Sequence, residues 1–152
     1  MSEEQKGDSD AAAQILVADD DPAILRLVKT IVEKEGFTVV SARDGREAYK
    51  LLTSGEPFVA AIFDVVMPYI QGTELVKHMQ SEKRLMKIPV IMMTAEQNPR
   101  LSSESFASGA VAFLPKPFTT AQLQTMLRMF VQKSQNAYTA RKSKPACAST
   151  RE

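Results

Sequence analysis

Four short apolar runs in the sequence each end on a polar or charged residue. The runs cover residues 15–18, 58–63, 88–93 and 111–115. The residues on which they end are Asp19 (followed by Asp20), Asp64, Thr94 and Lys116. Continuous apolar segments of this length are typical of strands that are buried on both faces of a parallel sheet. Because all strands of a parallel sheet end at one edge, the sequence predicts that these polar side chains meet in one crevice.

Amphipathic segments lie between the apolar runs, so that strand and helix alternate five times along the chain. The first of these segments starts at Pro22, a typical first-turn residue, after Asp20 or Asp21 as the helix cap. Strict alternation favours a parallel sheet with right-handed crossovers and helices on both faces. Five units are too few for an eight-stranded barrel. We therefore predict a flavodoxin-like α/β fold, an open doubly wound sheet in the order 2-1-3-4-5, with its site beside strands one and three.

The apolar pattern also predicts the extent of the folded domain. The predicted strands are 14–18, 37–40, 58–63, 88–93 and 110–114, and the predicted helices begin near Pro22, Asp44, Gly72, Pro99 and Thr119. We expect one domain over residues 14–133. The polar segment 1–13 and the mildly basic segment 134–152 are predicted to be disordered tails.

Composition excludes several classes of protein. The net charge of +1 provides no global field that would attract nucleic acid or an anionic membrane, and no apolar run approaches the length of a membrane helix. The single cysteine, Cys147, excludes an intramolecular disulfide. The start of the chain is acidic and polar, unlike a secretory signal. We expect a soluble cytoplasmic protein, with Arg141, Lys142 and Lys144 solvated rather than bound to nucleic acid.

The three acidic residues indicate a metal site. Any one aspartate after a strand is explained equally well as a helix cap, but capping is a poor account of Asp19, Asp20 and Asp64 together. Clustered carboxylates repel one another unless a cation is present. Mg²⁺ fits best, because it binds few protein carboxylates and keeps several waters. The surrounding motifs contain neither Cys nor His, which argues against a soft metal.

A carboxylate beside magnesium, with a lysine and a threonine near it, is equipped for phosphoryl transfer. Asp64 stands alone at the end of the central strand and is the natural nucleophile. Lys116 would pair with one phosphoryl oxygen and Thr94 would donate a hydrogen bond to another. Two alternatives stay open at this point: Lys116 is simply solvated, and Thr94 caps the fourth helix.

Four motifs together resemble the receiver domain of two-component response regulators. They are ILVADDDP (15–22), IFDVVMP (62–68), MTA (93–95) and FLPKPF (113–118). Each motif alone is weak evidence, but all four in this order and at these spacings are highly specific. The resemblance covers residues 14–133, which is the whole foldable part of the chain.

The resemblance implies a chemical role for each matching residue. Asp64 would accept a phosphoryl group from a phosphohistidine of a sensor histidine kinase or a histidine phosphotransfer protein. Asp20, Asp64 and the backbone carbonyl of Val66 would ligate Mg²⁺, while Asp19 would act through water. The peptide bond between Lys116 and Pro117 would be cis.

The resemblance also implies a switch that alters a surface. Thr94 would engage the phosphoryl group, and Phe113 would turn inward and remodel the face formed by the fourth helix, the fifth strand and the fifth helix. Alternatively, Phe113 is an ordinary core residue. We expect a stand-alone monomeric regulator that signals to a downstream protein, with no membrane or nucleic-acid partner. At most it would dephosphorylate itself slowly, and we do not expect it to be an enzyme otherwise.

Some residues depart from the family pattern, and rival functions follow from them. The loop after Pro68 reads Tyr69-Ile70-Gln71-Gly72 in place of glycine, apolar, aspartate, glycine, and Val66 is apolar where a polar residue is common. A haloacid-dehalogenase-type phosphohydrolase would need a second aspartate at Val66, which makes this rival weak. A constitutive interaction module with a relic pocket is the second rival, and a flavin site is disfavoured by the acidic first turn. His78 is interpreted as structural rather than as a phosphorelay histidine.

Overall fold

A parallel sheet flanked by helices forms the part of the chain that the computed structural model describes, residues 13–96 and 98–131. The strands are β1 (Gln14–Ala18), β2 (Thr38–Ala42), β3 (Phe58–Asp64), β4 (Val90–Thr94) and β5 (Ala112–Pro115). The helices are α1 (Pro22–Lys34), α2 (Gly45–Thr53), α3 (Gly72–Gln80), α4 (Arg100–Ser108) and α5 (Thr120–Phe130). The predicted alternation of strand and helix is therefore confirmed.

The strands run parallel in the order β2-β1-β3-β4-β5, which confirms the predicted fold. The register aligns the carboxyl ends of neighbouring strands: Ala18 pairs with Phe63, and Asp64 pairs with Met93. Thr94 pairs in turn with Pro115, the residue before Lys116. The polar residues that end the strands consequently share one edge of the sheet.

Each face of the sheet carries its own hydrophobic core, because alternate residues of a strand point to opposite faces. On one face Leu16 and Phe63 pack with α2 and α3, and on the other Val17 and Ile62 pack with α1 and α5. Burial on both sides explains why the strands read as continuous apolar runs rather than as alternating ones.

The helix caps agree with the sequence interpretation and settle one alternative. The side chain of Asp21, not Asp20, caps α1 by accepting a hydrogen bond from the N–H of Ala23 at 2.9 Å. Thr119 caps α5 in a capping box with Gln122. Asp20 is thus left without a capping role at the start of α1.

Several predicted boundaries differ from the structure by one or two residues. The fourth strand was expected at 88–93 and comprises Val90–Thr94, since the N–H of Ile88 bonds to Leu85 in the preceding turn and Pro89 has no N–H. The second strand extends to Ala42 because that residue pairs with Ala18. The third and fourth strands each end one residue later than predicted. Asp64 and Thr94 are therefore the last residues of their strands rather than the residues that follow them.

The predicted tails, 1–13 and 134–152, lie outside the described residues except for Ala13, and so do Cys147 and the basic residues near it. Within residues 13–96 and 98–131, no helix has the length and hydropathy that crossing a bilayer would require.

Candidate functional site

Three carboxylates meet where β1 and β3 end side by side. Asp19, Asp20 and Asp64 each place a carboxylate oxygen within 4.8 Å of the other two. Asp19 is fully buried and Asp64 is almost fully buried, whereas Asp20 is exposed. The cluster therefore has two acids fixed in the protein and one that faces solvent.

Asp19 is held by contacts on both of its carboxylate oxygens. Its Oδ1 accepts a hydrogen bond from the N–H of Asp21 at 2.9 Å, and its Oδ2 accepts one from Nζ of Lys116 at 2.7 Å. Its backbone N–H donates to the carbonyl of Ala42 at the end of β2. Asp19 is thus fixed in place by the first turn after β1 and by Lys116.

Lys116 bridges two of the acids. Its Nζ lies 2.7 Å from Asp19 and 3.3 Å from Oδ2 of Asp64, and its side chain is only 11% exposed. Its backbone N–H donates to the carbonyl of Thr94 at 2.8 Å, and its bond to Pro117 is cis. Burial opposes the charge of this ammonium, but the hydrogen bond to Asp19 and the charge of Asp64 outweigh burial and raise the pKa of Lys116. The alternative of a solvated lysine is thus excluded.

The surroundings of Asp64 disfavour its ionisation. Burial, and secondly the charge of Asp19, raise the pKa of Asp64 to about 6, although Lys116 and the backbone N–H of Val66 act in the opposite direction. The Val66 N–H donates to Oδ1 of Asp64 at 3.3 Å. Because the negative charge of Asp64 is unfavourable in these surroundings, a cation beside it would stabilise the ionised form. The carboxylate oxygens of the three acids are ligands that fit a hard divalent ion such as Mg²⁺.

Thr94 lies at the same edge of the sheet and is 2% exposed. Its Oγ1 accepts a hydrogen bond from the N–H of Glu96 at 3.1 Å, whereas α4 has Pro99 as its N-cap. Thr94 is therefore not the cap of α4, which removes that alternative. Phe113, on β5, is half-buried and packs against the core on the α2–α3 face of the sheet.

His78 lies on α3 and is not a member of the acidic cluster. Its ring is half-buried, with its centroid 4.9 Å from that of Tyr49 on α2. Within the described part of the chain its Nε2 is buried without a hydrogen-bond partner. These contacts are those of a residue that packs two helices together.

Sequence reasoning missed a contact between α2 and the loop that follows Asp64. The guanidinium of Arg46 lies over the ring of Tyr69, 4.0 Å from its centroid, and Tyr69 has a positive φ of 74°. The sequence marks Tyr69 as a departure from the usual loop, but no pattern in it connects this residue with Arg46.

The sequence and the fold of this chain are similar to those of known proteins. A family model described as the response regulator receiver domain matches residues 15–128. The chemotaxis response regulator CheY4 of Vibrio cholerae is 33% identical with a TM-score of 0.72, and the match covers 78% of this chain and 98% of CheY4. The receiver domain of the sensor histidine kinase PA1611 from Pseudomonas aeruginosa, which has magnesium coordinated in its active-site cleft, has a TM-score of 0.72 over 79% of this chain and 98% of that one. At 22% identity, this second likeness shows the fold alone.

Among curated proteins, the response regulator GtcR of Aneurinibacillus migulanus is 34% identical over 118 residues. That match covers 75% of this chain but 47% of GtcR. The chain spans about half the length of the curated relatives it matches.

Proposed function

Because the chain belongs to the response regulator receiver domain family, we propose that it carries a signal as a phosphoryl group on Asp64. The donor is the phosphohistidine of a sensor histidine kinase or of a histidine phosphotransfer protein. A carboxylate oxygen of Asp64 forms the new bond to phosphorus while the bond from phosphorus to the histidine nitrogen breaks. The nitrogen keeps the electron pair and takes up a proton, and the product is an aspartyl phosphate.

The observation that carries this proposal is the bridge that Lys116 makes between Asp19 and Asp64, at 2.7 and 3.3 Å. Phosphoryl transfer to a carboxylate brings additional negative charge to Asp64, and positive charge must already be in place to stabilise it. Lys116 meets that need, because its ammonium contacts Asp64 and is fixed by its second partner, Asp19.

We assign Asp20, Asp64 and the backbone carbonyl of Val66 to Mg²⁺, with Asp19 acting through water. When bound, Mg²⁺ would supply further positive charge to the phosphoryl oxygens. Asp20 is the exposed acid of the cluster and is therefore accessible to an incoming ion. The hydrogen bonds that Asp19 accepts, at 2.9 and 2.7 Å, are shorter than the two of 3.3 Å that Asp64 accepts, which supports direct ligation by Asp64 rather than by Asp19.

The phosphoryl group would then act on a surface. Thr94 Oγ1, which accepts a hydrogen bond from the N–H of Glu96, would donate one to a phosphoryl oxygen and so draw the β4–α4 loop towards Asp64. Phe113, half-buried at present, would pack more deeply as that loop moves. The face formed by α4, β5 and α5 would thereby change its affinity for a downstream protein.

We propose that the protein turns over no other substrate and loses its phosphoryl group only slowly. We also propose a cytoplasmic location, because histidine kinases present their phosphohistidine there. The expectation that the chain acts as a monomer and as a single-domain regulator stays a prediction. Membrane and nucleic acid are not proposed as partners.

The test is phosphorylation by a small phosphodonor such as phosphoramidate with Mg²⁺, followed by intact mass. We expect one phosphoryl group on the wild-type protein and none on D64N. D21N is the matched control, because Asp21 lies in the same acidic run but caps α1 instead of joining the cluster. Labelling of D64N equal to that of the wild type would contradict the proposal. Sustained hydrolysis of a phosphate ester, faster than the aspartyl phosphate decays, would favour a phosphohydrolase.

A further inference from the structure

Both ends of the loop from Val65 to Gly72 contact Asp64, the proposed phosphoryl acceptor. At its start, the N–H of Val66 donates to the side chain of Asp64. At its end, the N–H of Gly72 donates to the carbonyl of Val65 at 2.9 Å, and Gly72 packs so closely on Asp64 that a Cβ there would lie 2.5 Å from the Asp64 carbonyl oxygen. Any change in the shape of this loop therefore acts on Val66 and Asp64.

The middle of the loop is a strained turn. The N–H of Ile70 donates to the carbonyl of Pro68 at 2.9 Å, which closes a three-residue turn around Tyr69. Tyr69 has a φ of 74°, a value at which a γ-turn is rare and strained and at which a bulky side chain is uncommon. Contacts from outside the loop must offset this strain, since the turn contains no glycine at its centre.

The first turn of α2 supplies those contacts. The N–H of Gly45 donates to the same Pro68 carbonyl at 3.3 Å. Gly45 also lies directly against Ile70, because an added Cβ would overlap the Ile70 carbonyl. The guanidinium of Arg46 lies 4.0 Å from the centroid of the Tyr69 ring, within the range of a cation–π interaction.

We infer that Arg46 and Tyr69 are positioning residues for the acceptor site: the pair holds the strained turn closed and so fixes the loop that offers the Val66 carbonyl to Mg²⁺. Neither residue touches the metal or the phosphoryl group in this role. Arg46 acts through the ring of Tyr69, and Tyr69 acts through the backbone between Pro68 and Gly72. Because the role rests on the proposed function, its test has to separate the two.

The sign of the effect distinguishes positioning from simple electrostatics. Arg46 is a cation on the first turn of α2, and removing a positive charge from the neighbourhood of an acidic site raises the affinity for Mg²⁺ or leaves it unchanged. Loss of positioning lowers the affinity. Arg43 provides the matched control, because its side chain is 77% exposed and forms an ion pair with Glu47 at 3.9 Å.

The experiment is calorimetric titration of Mg²⁺ into the full chain. We expect R46Q to bind Mg²⁺ about two- to five-fold more weakly, the equivalent of one exposed cation–π pair. R43Q removes the same charge and should bind no more weakly than the wild type. Y69L should match R46Q, Y69F should retain wild-type affinity because it keeps the ring, and the double variant R46Q/Y69L should be no weaker than either single variant.

Hydrogen exchange without Mg²⁺ gives a second readout. The amides of Ile70 and Gly72 should exchange faster in R46Q than in R43Q, because their hydrogen bonds close the turn and the end of the loop. Wild-type affinity and exchange in R46Q would overturn the inference while leaving the proposed function intact. Failure of the wild-type protein to bind Mg²⁺ would instead overturn the proposed function and the positioning role with it.

Discussion

The ammonium of Lys116 lies 2.7 Å from Oδ2 of Asp19, which makes Asp19 its nearer carboxylate partner. The distance to Asp64, the proposed acceptor, is 3.3 Å. Asp19 is fully buried and Lys116 nearly so, and a buried ion pair depends strongly on having both of its members. Lys116 therefore neutralises Asp19 in this structure and, in the proposed function, would also stabilise the charge that arrives on Asp64.

Replacement of Lys116 by Met should destabilise the protein and slow phosphorylation. Removal of one partner from a buried ion pair typically costs about 3–5 kcal/mol, because the other charge stays buried and uncompensated. Without the cation, the pKa of Asp64 should rise further, so the loss of stability should be larger at pH 7 than at pH 5. Urea denaturation at both pH values, in EDTA, measures the free energy of unfolding.

The control for this substitution is K87M, which removes an exposed lysine from the turn before β4. Its free energy of unfolding should stay within about 0.5 kcal/mol of the wild type at both pH values. Equal effects of K116M and K87M would show that the short contact with Asp19 contributes nothing.

Replacement of Asp64 by Asn should stabilise the metal-free protein at neutral pH. The folded protein raises the pKa of Asp64 from 3.8 to about 6. The folded state therefore holds a proton that the unfolded state releases, and the stability linked to that proton is present below pH 4 and lost as the pH rises through 6. D64N removes the ionisation, so its advantage over the wild type should grow as the pH rises from 4 to 7 and reach about 1–2 kcal/mol after allowance for solvent screening.

The measurement is a series of urea denaturation curves between pH 4 and pH 8, with EDTA present to exclude metal. Parallel stability profiles for D64N and the wild type would contradict the raised pKa. A profile in which the wild type gains stability relative to D64N as the pH rises would mean that Lys116 outweighs burial.

The fold and the grouping of the polar residues at one edge of the sheet could be predicted because they depend on local patterns. An apolar run that stops at Asp64 or at Lys116 indicates both a buried strand and the edge of the sheet at which that strand ends. The grouping of these residues therefore follows from the topology of the sheet alone. The ends of the elements were less accurate. Thr94 belongs to β4 rather than following it, because pairing with Pro115 on the neighbouring strand extends the ladder by one residue.

Contacts between distant residues of irregular backbone could not be predicted. Nothing in the sequence indicates that Lys116 lies nearer to Asp19 than to Asp64, since this depends on the rotamer that the packed site permits. The left-handed conformation of Tyr69 has no sequence cue either, because glycine or asparagine is the usual residue at such a φ. Its partner, Arg46, is over twenty positions away and reads as an ordinary helix-surface residue.

Mg²⁺ should stabilise the wild-type protein but not variants of its proposed ligands. At a free concentration ten times the dissociation constant, binding to the native state adds about 1.4 kcal/mol to the free energy of unfolding. D20N and D64N should lose most of this increment, since each removes a carboxylate from the cluster. Thermal denaturation with MgCl₂ and with EDTA gives the increment for each protein.

D21N provides the comparison for the magnesium series. Asp21 caps α1 through Ala23, and asparagine is also a good cap, so the variant should fold with little loss of stability. Its magnesium increment should equal that of the wild type. An increment that D21N loses while D20N keeps it would place the metal elsewhere in the acidic run.

Replacement of Thr94 by Val should uncouple the site from the surface. Valine keeps the shape of threonine but lacks the hydroxyl that now contacts the N–H of Glu96. With beryllofluoride and Mg²⁺ as a stable substitute for the phosphoryl group, the variant should still bind through Asp64. The amide chemical shifts of α4 and β5 should respond much less than in the wild type.

T94S separates the hydroxyl from the methyl group at this position. It should keep most of the wild-type shift changes, because the serine hydroxyl can make the same hydrogen bond. Full responses in T94V would show that the hydroxyl does not connect Asp64 to the α4–β5 region.

Replacement of Gly72 by Ala should disturb the acceptor directly. The added Cβ would lie 2.5 Å from the carbonyl oxygen of Asp64 and 2.8 Å from Cε of Met92. The methionine can move, but the carbonyl ends a central strand, so the loop or the strand end has to shift. We expect a loss of about 1–3 kcal/mol in the free energy of unfolding and slower phosphorylation.

Gly55 separates this steric effect from backbone strain. It has a φ of +92°, and no heavy atom lies within 4 Å of the position of an added Cβ. G55A should therefore lose about 1–2 kcal/mol through the left-handed backbone alone and should phosphorylate at the wild-type rate. If the two variants have similar stability but only G72A phosphorylates slowly, the cause is the contact between position 72 and Asp64 and not a general loss of stability. Equal rates in both variants would show that the acceptor tolerates a shift at the end of β3.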